Sequence, residues 1–183
     1  MKLFVLGLTG LRSCGKDTVA EYLKKNYDFK VLVFSDDILV PILKKMGKPV
    51  TRINLIELAT EMREKNGTDI LAKMLAKKIK KGFFVISGIR FQEEVEYFRK
   101  KFGKRFKLIA IECDARKRYE RAVKRAQKGE EKLSFEQFLE YEKLPTEMCI
   151  NKTMEQADFH IENNGTIKDL YAKIDELIKR IKI

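Results

Sequence analysis

Apolar residues gather in five short runs along the chain, and longer amphipathic stretches separate them. The runs are Lys2–Leu8, Val31–Ser35, Phe83–Ser87, Lys107–Cys113 and Asp158–Glu162. Phe83–Ser87 lies between Gly82 and Gly88, the pattern of a strand buried on both faces. Helical periodicity fills the gaps: Lys16 to about Asn26, Phe91–Lys101, Arg116–Lys128, Ser134–Lys143 and Ile167–Lys182. From Ile38 to Lys81 the pattern is also helical, broken near Gly47-Lys48-Pro49 and at Asn66-Gly67. Thr68 or Asp69 can cap the helix after the second break, and Asp114 the helix that begins at Arg116.

Strands alternating with helices predict right-handed crossovers and an α/β fold, a five-stranded parallel sheet flanked by helices. In such sheets ligands collect beyond the carboxyl ends of the strands. Those ends fall at Leu8, Ser35, Ser87, Cys113 and Glu162. One rim should therefore carry the chemistry.

Composition narrows the class. At 183 residues one domain is expected. No apolar run reaches the ~18 residues of a membrane span, and the first strand runs straight into a glycine loop, unlike a signal peptide; a cytoplasmic protein is expected. The three cysteines, Cys14, Cys113 and Cys149, form no CxxC pair, and His160 is the single histidine, so a structural zinc site is not expected. The net charge of +12 raises the question of nucleic acid. The cations, however, mostly alternate with glutamate on helix faces, as in Glu57–Lys65, and no RNA-binding or helix-turn-helix signature accompanies them. A positive field equally suits a small anionic substrate.

The sharpest motif is Gly10-Leu11-Arg12-Ser13-Cys14-Gly15-Lys16, which fits GxxxxGK between a strand and a helix. Glycines allow backbone shapes that let successive N–H groups converge on a phosphate. The helix start adds its partial positive charge, and Lys16 can reach the terminal phosphates. Gly10, Arg12, Ser13, Cys14, Gly15 and Lys16 are thus expected to hold a nucleoside triphosphate. Cys14 reads equally as a small neutral filler. The position after the lysine is ordinarily Ser or Thr, which ligates magnesium, but here it is Asp17, followed by Thr18. Asp17 either joins the metal's shell or caps the helix, where a carboxylate is favoured; Thr18 is a second metal candidate.

Gly7-Leu8-Thr9-Gly10 with Cys14-Gly15-Lys16-Asp17-Thr18-Val19-Ala20 resembles the opening of dephospho-CoA kinase and of deoxynucleoside monophosphate kinases. A loop ending Gly-Lys-Asp also occurs in phosphomevalonate kinases and phage deoxynucleotide kinases. Further segments resemble an adenylate-kinase-related, dephospho-CoA-kinase-like group that is chiefly archaeal. These include Phe34-Ser35-Asp36-Asp37-Ile38, Glu61-Met62-Arg63-Glu64-Lys65, Ile86-Ser87-Gly88-Ile89-Arg90, Arg118-Tyr119-Glu120-Arg121 and Ala157-Asp158-Phe159. The resemblance implies an adenylate-kinase-like P-loop fold and phosphoryl transfer with ATP and Mg2+ as cofactors. It also implies a helical acceptor-binding insert at about residues 36–81 and a lid at about 116–145. The sequence departs from the group at Ser87, where Asp is usual, and at Leu39, where Arg is usual. With Asp17 these departures leave two outcomes open: Asp17 takes over the metal duty, or the protein binds nucleotide without turnover.

Arg118, Arg121 and Arg125 share one helix face by their spacing, either to cover the transferring group as a lid does or as a solvated basic helix. Arg90 stands on the functional rim, suited to an acceptor phosphate, and Arg63 lies in the acceptor insert. Asp36 could act as general base toward an acceptor hydroxyl or cap the next helix, with Asp37 the better cap. Asn163, after the last strand, is placed near the nucleotide base, and His160 is read as structural. The expected partner is a small nucleotide-like acceptor, first a (deoxy)nucleoside monophosphate and second dephospho-CoA. A non-catalytic sensor or assembly protein using the same pocket is the alternative, and neither membrane nor nucleic-acid binding is expected.

Overall fold

The computed structural model describes residues 3–125 and 134–181. Five strands form one parallel sheet: β1 (Phe4–Thr9), β2 (Phe29–Val33), β3 (Phe83–Ser87), β4 (Phe106–Glu112) and β5 (Phe159–Glu162). Their spatial order is β2-β3-β1-β4-β5, with β1 at the centre. Every residue of β1 is buried, which is why its sequence is an unbroken apolar run rather than an alternation.

Around the sheet lie α1 (Lys16–Tyr27), α2 (Val40–Lys45), α3 (Arg52–Asn66), α4 (Ile70–Ala76), α5 (Gln92–Phe102), α6 (Ala115–Arg125), α7 (Phe135–Glu140), α8 (Pro145–Met154) and α9 (Ile167–Ile181). The strand alternation of β1 sends Val5 into a core with the insert helices and α5, and Leu6 and Leu8 into a core with α1 and α9. In α9, Leu170, Ile174, Leu177 and Ile178 make one buried stripe. Each such side chain contributes about 1.5–3 kcal/mol when taken out of water.

Boundaries moved in two places. The second strand ends at Val33 rather than Ser35, because Ser35–Leu39 coils into a π-helical turn that feeds α2. Asp37, expected to cap a helix, instead accepts from the Val33 N–H at 2.8 Å and pairs with Lys78 at 3.0 Å. It thus satisfies a backbone donor at the end of the strand. An unexpected helix, α8, begins at Pro145, which serves as a helix-starting residue rather than a stop. The stretch 126–133 of the expected lid lies outside the described residues.

Candidate functional site

The central strand delivers the chain into the loop, and the backbone there turns through three left-handed residues: Gly10 (φ 145°), Ser13 (φ 60°) and Gly15 (φ 108°). At Gly10 a Cβ would stand 2.4 Å from the Ile111 carbonyl oxygen, and at Gly15 it would stand 2.4 Å from the Asn163 amide nitrogen. Both positions require glycine for close approach as well as for conformation. The loop curls toward α1, whose first-turn N–H groups have no intrahelical acceptor. No side chain caps that helix start. Lys16 folds back over the loop, its Nζ donating to the carbonyls of Gly10 (2.7 Å) and Leu11 (3.0 Å). The ammonium therefore waits at the rim, on weak neutral acceptors that an anion can replace.

The opposite wall comes from the end of β5 and from α6. The Asn163 side chain is buried and donates to the Cys14 carbonyl at 2.8 Å, holding the loop from behind. Arg121 donates to the Asn163 carbonyl at 2.9 Å and to the Cys113 sulfur at 3.2 Å. Burial pushes the Cys113 thiol up, despite Arg121 beside it, so it remains a neutral acceptor. Between these walls opens a cleft of about 360 Å3 lined by Ser13, Gly15, Lys16, Asp17, Thr18, Arg121, Asn163, Ile167 and Leu170. The structure thus brings the loop, Thr18, Arg121 and Asn163 together. Ile167 and Leu170 are the apolar lining that sequence inspection missed.

Asp17 is exposed in the first turn of α1 and accepts from the Ser87 hydroxyl at 3.1 Å. Among the described residues no three His, Cys, Asp or Glu side chains converge into a cation cage. Magnesium bound with a nucleotide takes one or two protein ligands beside phosphate and water oxygens, a demand that Asp17 and Thr18 can meet.

Of the residues expected on the acceptor side, Arg63 and Arg90 meet in a second group around Glu94. The N–H groups of Gly88 and Ile89 both donate to the Leu8 carbonyl at 3.1 Å, which fastens the start of the β3–α5 connection to the end of β1. Glu94 is wholly buried beneath that connection and accepts from the Arg90 N–H (3.0 Å), the Phe91 N–H (3.3 Å) and the Arg63 guanidinium (3.2 Å). Burial pushes its carboxyl up, while Arg63 and the two amides pull the other way. Arg63 also stacks over Phe91 at 4.6 Å. The Arg90 side chain pairs with Glu147 of α8. Asp36 is exposed and accepts from the Ser35 hydroxyl at 2.9 Å.

Two of the expected arginines stand differently. Arg118 is not open to a nucleotide: it is buried, its Nε donates to the Cys113 carbonyl, and its two terminal nitrogens grip Glu142. Three arginines on one helix face could not foretell an acid 24 residues away in sequence that would consume one of them. Arg12 lies over the rings of Phe138 and Tyr141, each 5.5 Å away, and so joins the loop to α7. The side chain of Arg125 lies outside the described residues. His160, read as structural, meets Glu112 at 2.6 Å on the exposed face of the edge strand. Glu142 and Glu147 went unnoticed in the sequence, and Glu94 figured there only as part of the segment that follows Arg90. Only Glu94 carried a local signal, as a Glu at the third position of a helix, where it can reach back to the entering amides.

Known proteins are similar to this chain in sequence and in fold. The AAA domain family matches residues 9–138, more than half of the chain. A UPF0200/UPF0201 protein of Archaeoglobus fulgidus is 34% identical over 99% of this chain, which spans 57% of that relative's length. A UPF0200 protein of Sulfurisphaera tokodaii is 33% identical over 97% of each chain. Among solved structures, shikimate kinase from Bacteroides thetaiotaomicron superposes with a TM-score of 0.64 at 14% identity, covering 99% of both chains. A gluconokinase from Sinorhizobium meliloti gives 0.58 at 9% identity, covering 100% of this chain and 98% of that one. At such identities these structures speak to fold alone, and the fold is that of a P-loop kinase. The chain belongs to the UPF0200 family and, through residues 9–138, to the AAA domain family of P-loop nucleotide-binding proteins.

Proposed function

We propose that the protein is an ATP- and Mg2+-dependent kinase that phosphorylates a small anionic acceptor, first a (deoxy)nucleoside monophosphate and second dephospho-CoA. One observation carries this reading: Lys16 is held across the mouth of a glycine loop whose helix N–H groups are uncapped, in a cleft that also contains Arg121. Cation, helix dipole and guanidinium converge on one volume suited to a polyphosphate.

In this reading the loop amides and Lys16 take the donor phosphates, while Asn163 keeps the loop in shape. Arg121 faces the charge that spreads over the transferring group. Asp17, steadied by Ser87, and Thr18 are the groups that would hold magnesium, which would neutralise phosphate charge there. Arg90 is assigned to the acceptor's anion, while Arg63, held on the buried Glu94, supports the connection that carries Arg90. The acceptor oxygen forms a bond to the terminal phosphorus as the bridging P–O bond breaks and ADP leaves. An acceptor phosphate is already anionic. An acceptor hydroxyl must lose a proton, for which the exposed Asp36 carboxylate is the base.

Incubation with labelled ATP and magnesium, against a panel of nucleoside monophosphates and dephospho-CoA, tests the proposal. Label transfer to one acceptor is expected. Folded protein that binds ATP and labels none of them supports the non-catalytic nucleotide-binding alternative, which the burial of Arg118 against Glu142 otherwise favours most.

A further inference from the structure

The acceptor side contains an acid that the proposed reaction does not use. Glu147 lies in the first turn of α8, and its carboxylate pairs with the Arg90 guanidinium. The same helix is fastened to the β3–α5 segment by the Thr153 hydroxyl, which donates to the Arg90 carbonyl at 2.8 Å, and by Lys152, whose carbonyl accepts from Gln92 at 3.3 Å. Glu147 is therefore aimed at Arg90 by a docked helix.

Among the described residues, Thr9 Oγ1 and Arg63 Nε are buried with no hydrogen-bond partner from the protein. Thr9 shares the sheet face of Gly7, where an added Cβ would meet the Ile89 side chain at 2.5 Å. It thus lies on the Arg90 side of the sheet, one residue before the phosphate loop. Arg63 reaches the same connection through Glu94 and Phe91. Buried polar atoms left unpaired by protein groups are costly, and a polar ligand that reaches them relieves that cost.

We propose that Glu147 is an internal stand-in for the anionic group of the acceptor: its carboxylate occupies the seat on Arg90 that a phosphate takes, and α8 releases Arg90 when the acceptor binds. This rests on the kinase reading and narrows it, because an acceptor must bring an anion able to displace a carboxylate. Neutral polyols have no means to do so. The energetics allow exchange: the Arg90 side chain is 43% exposed. Glu147 is 17% exposed, so the pair is half-buried, but its arginine stays open to water, and a doubly charged phosphate with several acceptor oxygens can compete for it.

The test compares wild type, Glu147→Gln and Arg90→Gln, titrated with inorganic phosphate and with AMP by calorimetry. ATP is titrated in parallel as a separate report on the donor loop. Removing the competing charge should tighten phosphate and AMP binding about two- to five-fold in Glu147→Gln, and Arg90→Gln should lose that binding. Hydrogen exchange gives a second readout on wild type, in which phosphate should speed exchange of the α8 amides near residue 147. A purely structural Glu147 predicts a lower melting temperature with phosphate affinity unchanged or weaker, and that result overturns the proposal. Absence of ATP binding in all three proteins would refute the kinase reading instead, and leaves the phosphate comparison fully readable.

Discussion

The Ser87 hydroxyl donates to the Asp17 carboxylate at 3.1 Å, joining the end of β3 to the first turn of α1. The usual magnesium-holding partners of a phosphate loop are a hydroxyl after the lysine and a carboxylate at a strand end. Here the carboxylate follows the lysine and the hydroxyl ends the strand, and the two still touch. Viewed singly in the sequence, Asp17 and Ser87 are two losses; in the structure they form one transposed pair.

That transposition predicts reciprocity. Ser87→Ala leaves Asp17 without its orienting donor and should weaken apparent magnesium affinity about 10-fold, as removing a supporting hydrogen bond typically does. Asp17→Thr alone should cost more, and the exchange Asp17→Thr with Ser87→Asp should recover most of the loss. Manganese titration followed by spin resonance, in the presence of ATP, measures this without relying on turnover. Independent, additive losses in the double variant would refute the pairing.

Asn163 and Gly15 should act as one unit, because the amide of the first fills the space where the second would have a Cβ. Asn163→Ala removes a buried hydrogen bond to Cys14 and should cost about 1 kcal/mol of stability. Gly15→Ala forces a side chain into a left-handed backbone and onto Asn163, so it should abolish ATP binding more completely than Asn163→Ala does. Urea unfolding and ATP titration on the two variants check the order.

Glu94 satisfies two backbone donors and Arg63 from a fully buried position. Glu94→Ala leaves an arginine facing the core with no counter-charge, a change that costs about 3–5 kcal/mol. Glu94→Gln keeps an acceptor oxygen and should cost less. Chemical denaturation gives both values directly; equal losses would show that shape, not hydrogen bonding, matters there.

Alkaline stability should turn on Asp175 of α9, which accepts from Tyr22 (2.7 Å) and Tyr27 (2.6 Å) of α1. The hydrogen bond to Asp175, ahead of desolvation, pushes the Tyr27 phenol up to about 12 and raises that of Tyr22. The folded protein therefore keeps protons that the unfolded chain releases above its ordinary value of 10.0. Since the native state binds more protons, stability falls as pH rises from about 10 to about 12. Tyr27→Phe should flatten that decline in thermal melts, and an unchanged slope would contradict the assignment.

How much was legible follows from the range of each signal. The phosphate loop and the five apolar runs are local patterns, and the strands appear within two residues of where those runs predicted them. Helix α8 is hidden in the sequence because a proline just past a helix reads as its end, although proline also begins helices, as Pro145 does. Missing α8 meant missing Glu147. The arginines show the deeper limit. Spacing places a side chain on a helix face, but whether Arg118 reaches a ligand or Glu142 depends on contacts across the fold, which periodicity does not encode. Asn163 was located correctly after β5, yet its buried amide turns toward the Cys14 carbonyl of the loop, a contact 149 residues apart in sequence.

Calorimetric titration of ATP with magnesium into the wild-type protein and Lys16→Ala probes the phosphate loop most directly. Saturable binding at one site per chain is expected. Lys16→Ala should weaken it about 10- to 100-fold, the worth of a charge-assisted hydrogen bond to phosphate. No heat with the wild type, or equal affinity in the two proteins, would contradict a polyphosphate site at this loop.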